Sequence, residues 1–359
     1  MKTPRFIPPL IPRVGFTLVE LLVSMVVLTI IMLMSARFIG QMQRTWSASS
    51  ARLEQFREAR TAFETITQAL RQATLNTYLT YEYNTGPNPT VPSSKDEAPR
   101  KYVRHSELQF VTGRAADLLG SESPELMKNH AVFLQAPMGI TARPGYEGLQ
   151  RLLCGRGYFI KHGSDETYRP QHVSTERVRF RLWEYRPFSE MNEIYSVNPG
   201  GWFSNITSDT VEADETVERP SQLRPIAENI VALIISPQVT AEDARERNSD
   251  KTWIAPNYTY DSTTISGESV QNPQGTQHLL PPVIVVTLVA IDEASAQKLA
   301  DRHGDAVPDL IPDGSFESCD DFAQDLAALE ANLAKQKLNY RVFTAAVPMR
   351  NSKWNQMYR

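Results

Sequence analysis

Residues 16–36 read FTLVELLVSMVVLTIIMLMSA. A helix of about 20 apolar residues spans a bilayer. This run has that length and holds a single charge, Glu20. Residues 1–15, MKTPRFIPPLIPRVG, carry Lys2, Arg5 and Arg13 among four prolines. Basic residues before a span and a large polar region after it predict a cytoplasmic N-terminus, with the bulk of the chain on the periplasmic side. Arg37 and Arg44, just past the span, pull weakly the other way. A secretory signal would have an apolar core of about 7–15 residues with its small-residue cleavage site downstream. Here Gly15 stands upstream of the run. Cleavage beside it would remove the basic leader and leave the apolar helix on the mature chain.

Glu20 needs a reason. A carboxylate at the centre of a membrane helix costs about 2.5–3.5 kcal/mol on insertion scales, and less near the end, where Glu20 lies. It either snorkels or stays protonated without a partner, or it meets a cation inside the membrane. Cleavage after Gly15 would create such a cation, the new α-amino group of Phe16 on a neighbouring subunit.

The hexapeptide Gly15-Phe16-Thr17-Leu18-Val19-Glu20 resembles the type IV prepilin cleavage and methylation signature. That signature has Gly before the cut, Phe after it and Glu at the fifth mature position, followed by an apolar helix. The resemblance implies that a prepilin peptidase cuts between Gly15 and Phe16 and methylates the Phe16 nitrogen. It also implies that Glu20 neutralises the Phe16 amine of an adjacent subunit during assembly. The partners it implies are prepilin peptidase, inner-membrane lipid, and other pilins or pseudopilins met through their N-terminal helices.

Beyond Arg37 the pattern becomes amphipathic. Phe38, Met42, Trp46, Leu53, Phe56, Phe63, Ile66 and Leu70 recur at helical spacing, and charged residues fill the opposite face. No Pro or Gly falls between Gly40 and Gly86. The spacing predicts one helix over about 16–80, roughly 95 Å long at 1.5 Å per residue. Its aromatic stripe is expected to pack against a globular domain rather than in a coiled coil, because the heptad drifts.

The remainder reads as β-rich. Strands are expected at Ser106–Thr112, Ala131–Gln135, Gly157–Lys161, Arg177–Tyr185, Ile230–Ser236, Val283–Ile291 and Asn339–Val347. Arg177–Tyr185 (RVRFRLWEY) alternates strictly, which predicts one buried face and one wet face. Helices are expected at Glu293–Arg302 and Glu317–Leu338, as an insertion between the last two strands. Residues 84–99, 192–220 and 241–277 are polar and turn-rich, and read as surface loops. The fold class is α+β and pilin-like: a leader (1–15), a long helix (16–80, with 16–36 transmembrane) and a periplasmic β-rich domain (81–359).

The order of landmarks resembles the J-type minor pseudopilins of type II secretion systems. These landmarks are Tyr158, Trp183-Glu184-Tyr185, Ile226-Ala227-Glu228-Asn229-Ile230, Trp253, Leu280-Pro281-Pro282-Val283 and Arg341-Val342-Phe343.

No chemistry of catalysis stands out. The chain has six histidines but no H-E-x-x-H helix, G-x-S-x-G elbow, Walker loop or dinucleotide fingerprint. Gly155-Arg156-Gly157 is too short for a phosphate loop, and His162 and His172 read as solvated. Cys154 and Cys319 allow one disulfide in an oxidising compartment or two separate thiols. Asp309, Asp313, Glu317, Asp320 and Asp321 make the insertion acidic without the spacing of a calcium loop. No cofactor, metal or catalytic residue is assigned. The net charge of −4 gives no basic surface for nucleic acid. The leading expectation is a structural subunit of a secretion pseudopilus or pilus-like filament. A surface-pilus adhesin or DNA-uptake subunit is the alternative, and a single-pass membrane-anchored enzyme the remote one.

Overall fold

The computed structural model describes residues 17–359 apart from 85–88, 121–125, 127, 142–144, 147, 150–151, 167, 171, 195–200, 204–205, 207–221, 247–248, 271 and 355–359. The chain divides into two compact units, one ending at Leu53 and one beginning at Glu54. The first is helical. Helix α1 spans Leu18–Gln72. Its stretch Leu18–Gln43 is 26 residues, long and apolar enough to cross a membrane, with none of it buried. At 1.5 Å per residue that is about 39 Å, more than the roughly 30 Å of hydrocarbon in a bilayer.

Within the second unit, α1 turns one stripe inward: Ala59, Ala62, Phe63, Ile66, Ala69 and Leu70 are buried. Small residues interleaved with large ones let the helix lie close on the sheet, and Phe63 meets Phe343 at 5.9 Å between ring centres. The expected aromatic seam is therefore borne out only from Phe56 onward. Phe38, Met42 and Trp46 belong to the first unit and are exposed. The helix also ends at Gln72, short of the expected 80. Thr74 N–H donates to the Gln135 carbonyl at 2.9 Å, and Asn351 Nδ2 donates to the Ala73 carbonyl at 3.0 Å. The chain then becomes strand β1, Tyr78–Glu82, as its Tyr and Thr content favours.

β1 pairs antiparallel with β2, Lys101–His105. Next come β3 (Val111–Arg114), the short helix α2 (Ala115–Leu119), β4 (His130–Ala136), β5 (Cys154–Gly163) and β6 (Arg179–Tyr185). They are followed by β7 (Leu223–Glu228), β8 (Ile230–Gln238), the short helix α3 (Ala241–Glu246), β9 (Tyr260–Asp261) and β10 (Val283–Ile291). The chain closes with α4 (Glu293–His303), α5 (Phe322–Lys335) and β11 (Tyr340–Pro348). Six strands form one antiparallel sheet in the order β7-β6-β5-β4-β3-β9, and three form another, β11-β10-β8. The two meet where side chains at the start of β4 satisfy the backbone of β8. Asn129 Oδ1 accepts from Leu233 N–H at 3.0 Å, and His130 Nδ1 accepts from Ile235 N–H at 3.1 Å. The architecture is α+β: a long apolar helix, then a β-rich globular part with helices near its C-terminus.

Strand β6 corrects the expectation of a wet face, because all seven of its residues are buried. Burying a charge is tolerable only when it is paired and hydrogen-bonded, and here every charge is. Arg181 bonds Glu228 at 3.2 Å and the Gly163 and Arg177 carbonyls at 2.7 and 2.9 Å. Arg179 bonds Glu293 and Gln297, each at 3.0 Å. Glu184 takes Arg224 at 2.6 Å and the Tyr158 hydroxyl at 3.0 Å. The polar regions at 192–220 and 241–277 also contribute core. Trp202, Phe203, Tyr258 and Tyr260 are buried, and Phe203 stacks on Phe133 at 4.3 Å with planes 8° apart.

Candidate functional site

Gly15 and Phe16 lie outside the described residues; Thr17, Glu20 and the helix that follows lie within them. Thr17 is the residue before α1, and a Thr there accepts from a first-turn amide that has no helical partner. Glu20 N–H donates to Thr17 Oγ1 at 3.3 Å. In return the Thr17 N–H and hydroxyl each donate to Glu20 Oε2 at 3.4 Å. This is a reciprocal capping box, T-x-x-E. It gives Glu20 a second employment within its own chain, beyond the intersubunit charge role implied by resemblance. The T-x-x-E spacing ahead of an apolar run was the available signal.

Below this turn Ser24 and Thr29 are satisfied by the helix itself. Ser24 Oγ donates to the Leu21 carbonyl at 2.8 Å, and Thr29 Oγ1 to the Met25 carbonyl at 2.7 Å. Hydroxyls bonded back in this way do not present an unpaired donor to lipid. Glu20 is the one charged residue from Leu18 to Ala36.

Among its described residues the globular unit offers no comparable constellation. Cys154 and Cys319 are separate thiols in this structure. Cys154 Sγ lies 3.4 Å from Ser189 Oγ, while Cys319 Sγ donates to the Ala255 carbonyl at 3.1 Å. Burial pushes the Cys319 thiol pKa up, which disfavours the reactive thiolate. The acidic insertion spends its carboxylates on protein cations. Lys128 holds Asp309 at 2.6 Å and Asp313 at 2.7 Å, Arg114 pairs with Glu317, and Lys251 pairs with Asp320. Among the described residues, no group of three or more His, Cys, Asp and Glu is arranged to hold a metal ion.

His162 is buried, against the expectation that it is solvated. Its ring lies 4.6 Å from that of Phe180, and burial lowers its pKa to about 4. His130 and His278 are depressed to about 4 for the same reason. Gly155 and Gly157 have a packing role. A Cβ at Gly157 would sit 2.3 Å from the Phe133 ring, and one at Gly155 would sit 2.7 Å from Trp202. The glycines let two aromatic rings lie directly on β5.

Residues 15–36 match the family model described as the prokaryotic N-terminal methylation motif. In that segment the chain is similar to type IV prepilins. No curated protein matches it. The prepilin motif implies processing by prepilin peptidase and assembly with other pilins, and the exposed apolar helix fits a subunit anchored in the inner membrane.

Proposed function

We propose that the chain is a minor pseudopilin or pilin, a structural subunit whose leader is removed between Gly15 and Phe16, whose Phe16 nitrogen is methylated, and whose helix packs against those of other subunits in a filament. The supporting observation is Glu20 as the one acid on the first, apolar stretch of α1, placed one turn from the residue that cleavage would make the N-terminus. An α-ammonium group and a carboxylate are both poorly solvated in lipid, so each neutralises the other at a subunit contact. The domain from 81 onward would face the periplasm, by the charge of the leader. The finer reading is a J-type minor pseudopilin of a type II secretion system. Its support is the position of the landmarks: Tyr158 on β5, Trp183-Glu184-Tyr185 closing β6, Ile226–Ile230 at the β7–β8 junction, and Arg341-Val342-Phe343 opening β11.

The test is Glu20→Leu, co-expressed with prepilin peptidase and the partner pilins of its own cell. The variant is expected to be cleaved and methylated normally but to enter sheared filaments at a small fraction of the parental level. Equal incorporation would remove the electrostatic account of assembly.

A further inference from the structure

Two buried side chains beside α4 each leave one polar atom unmet. Arg179, at the start of β6, and Asn229, the residue between β7 and β8, are 3% and 1% exposed. The Asn229 backbone lies in the left-handed region, at φ 61°, which Asn adopts more readily than most residues. There its N–H donates to the Phe180 carbonyl at 2.7 Å, and its carbonyl accepts from Ile291 N–H at 2.9 Å. The two side chains meet on one carboxylate. Arg179 Nη2 donates to Glu293 Oε1 at 3.0 Å, and Asn229 Nδ2 donates to Glu293 Oε2 at 2.9 Å. Arg179 also gives Nη1 to the Val178 carbonyl and Nη2 to Gln297, each at 3.0 Å. What remains is Arg179 Nε, a donor, and Asn229 Oδ1, an acceptor. Both atoms are fully buried, and neither has a hydrogen-bond partner among the described residues. Turning the amide over would not help, because its NH2 end is the one that must face the carboxylate.

Both residues line a cavity of about 10 Å³, close to the minimum that holds one water molecule. Its apolar walls include Phe180, Ile291, Ala296 and Leu299, which offer no side-chain donor or acceptor. Buried polar groups left unpaired are costly and are normally met by protein or by ordered water. The chemistry of the two atoms selects the occupant. A cation would sit beside the Arg179 guanidinium, and an anion beside the Asn229 carbonyl oxygen and Glu293. A neutral molecule that both accepts and donates satisfies both atoms, and the volume admits nothing larger than water.

We propose that this cavity is a binding site for a single long-lived water, which accepts from Arg179 Nε–H and donates to Asn229 Oδ1. The His162 ring, in the same wall, can take its second hydrogen. The water ties β6, the β7–β8 corner and α4 together through bonds that the side chains alone leave incomplete.

The test uses the full chain in detergent with isotope-labelled arginine side chains. The Arg179 Nε–H signal is identified by its loss in Arg179→Lys. In the parent it is expected to show a cross-relaxation peak to water, with the sign of a bound, slowly tumbling molecule. Asn229→Gly keeps a residue at ease with positive φ and removes the acceptor, and circular dichroism checks that it folds. It should abolish the water peak and speed solvent exchange of Arg179 Nε–H at least about tenfold, as loss of a buried hydrogen bond does. A resolved Arg179 Nε–H signal with no water peak, or exchange unchanged in Asn229→Gly, would overturn the proposal. A crystal structure of the full chain decides independently, including where the glycine variant does not fold. An ordered water within hydrogen-bond distance of both atoms supports the site, and an empty cavity or a protein acceptor on Arg179 Nε overturns it.

Discussion

Thr17 and Glu20 each complete the other's hydrogen bonds in the first turn of α1, and that exchange sets the local energetics of the N-terminus. Loss of a Thr cap typically costs about 1 kcal/mol of helix stability. Thr17→Val keeps the shape and removes the hydroxyl, so the Glu20 and Leu21 amides should exchange several-fold faster in micelles, as read by NMR. Unchanged rates would mean the cap contributes nothing. The sequence reading took Glu20 solely as a charge in lipid and overlooked the threonine three residues earlier, although the spacing was plain. Gly155 and Gly157 were legible only as glycines, because what they accommodate is contributed by Phe133 on β4 and Trp202 in a loop. Gly157→Ala forces its Cβ into the Phe133 ring. It should lower stability by about 1–3 kcal/mol, as overpacking does, measured as a drop in urea midpoint at constant slope.

At the scale of elements, β10 and β8 were readable because runs of Val and Ile encode buried strands with little help from context. β6 was placed correctly but its environment was not. Strict alternation of apolar and charged residues ordinarily marks a half-wet strand, yet the arginines here find acids on two other segments, Glu228 on β7 and Glu293 at the start of α4. Those partners are distant in sequence. Removing one member of such a pair leaves a buried charge, at a cost of about 3–5 kcal/mol. Arg181→Leu is therefore expected to unfold at a markedly lower temperature than the parent, and the added change Glu228→Gln should recover part of the loss. If the single variant melts with the parent, the β6 ion pairs are not structural. The early end of α1 has the same origin, since Thr74 is captured by β4, a contact that helix periodicity does not encode.

The whole molecule carries three buried neutral histidines, His130, His162 and His278, each with its pKa lowered to about 4 by burial. Their unfolded pKa is near 6.5, so the unfolded chain binds more protons below that value. The stability they contribute is complete above pH 6.5 and is lost as pH falls toward 4. The melting temperature should therefore decline through that window, and His130→Gln should make the decline shallower. A flat profile from pH 7 to 4.5 would contradict the burial of these rings as neutral groups. At the same scale, the apolar helix was legible from residues 16–36, because hydrocarbon thickness fixes the length of a spanning helix, and the β-rich body from the β-branched and alternating runs that follow it. The cavity beside Arg179 and Asn229 was not, since it exists only once β6, the β7–β8 corner and α4 are brought together. The central claim is that the working chain begins at Phe16. Intact mass and N-terminal sequencing of the protein purified from membranes of a cell with its own prepilin peptidase test this directly. The account predicts a chain lacking residues 1–15 and carrying one methyl group on the Phe16 nitrogen; a chain that still begins at Met1 would contradict it.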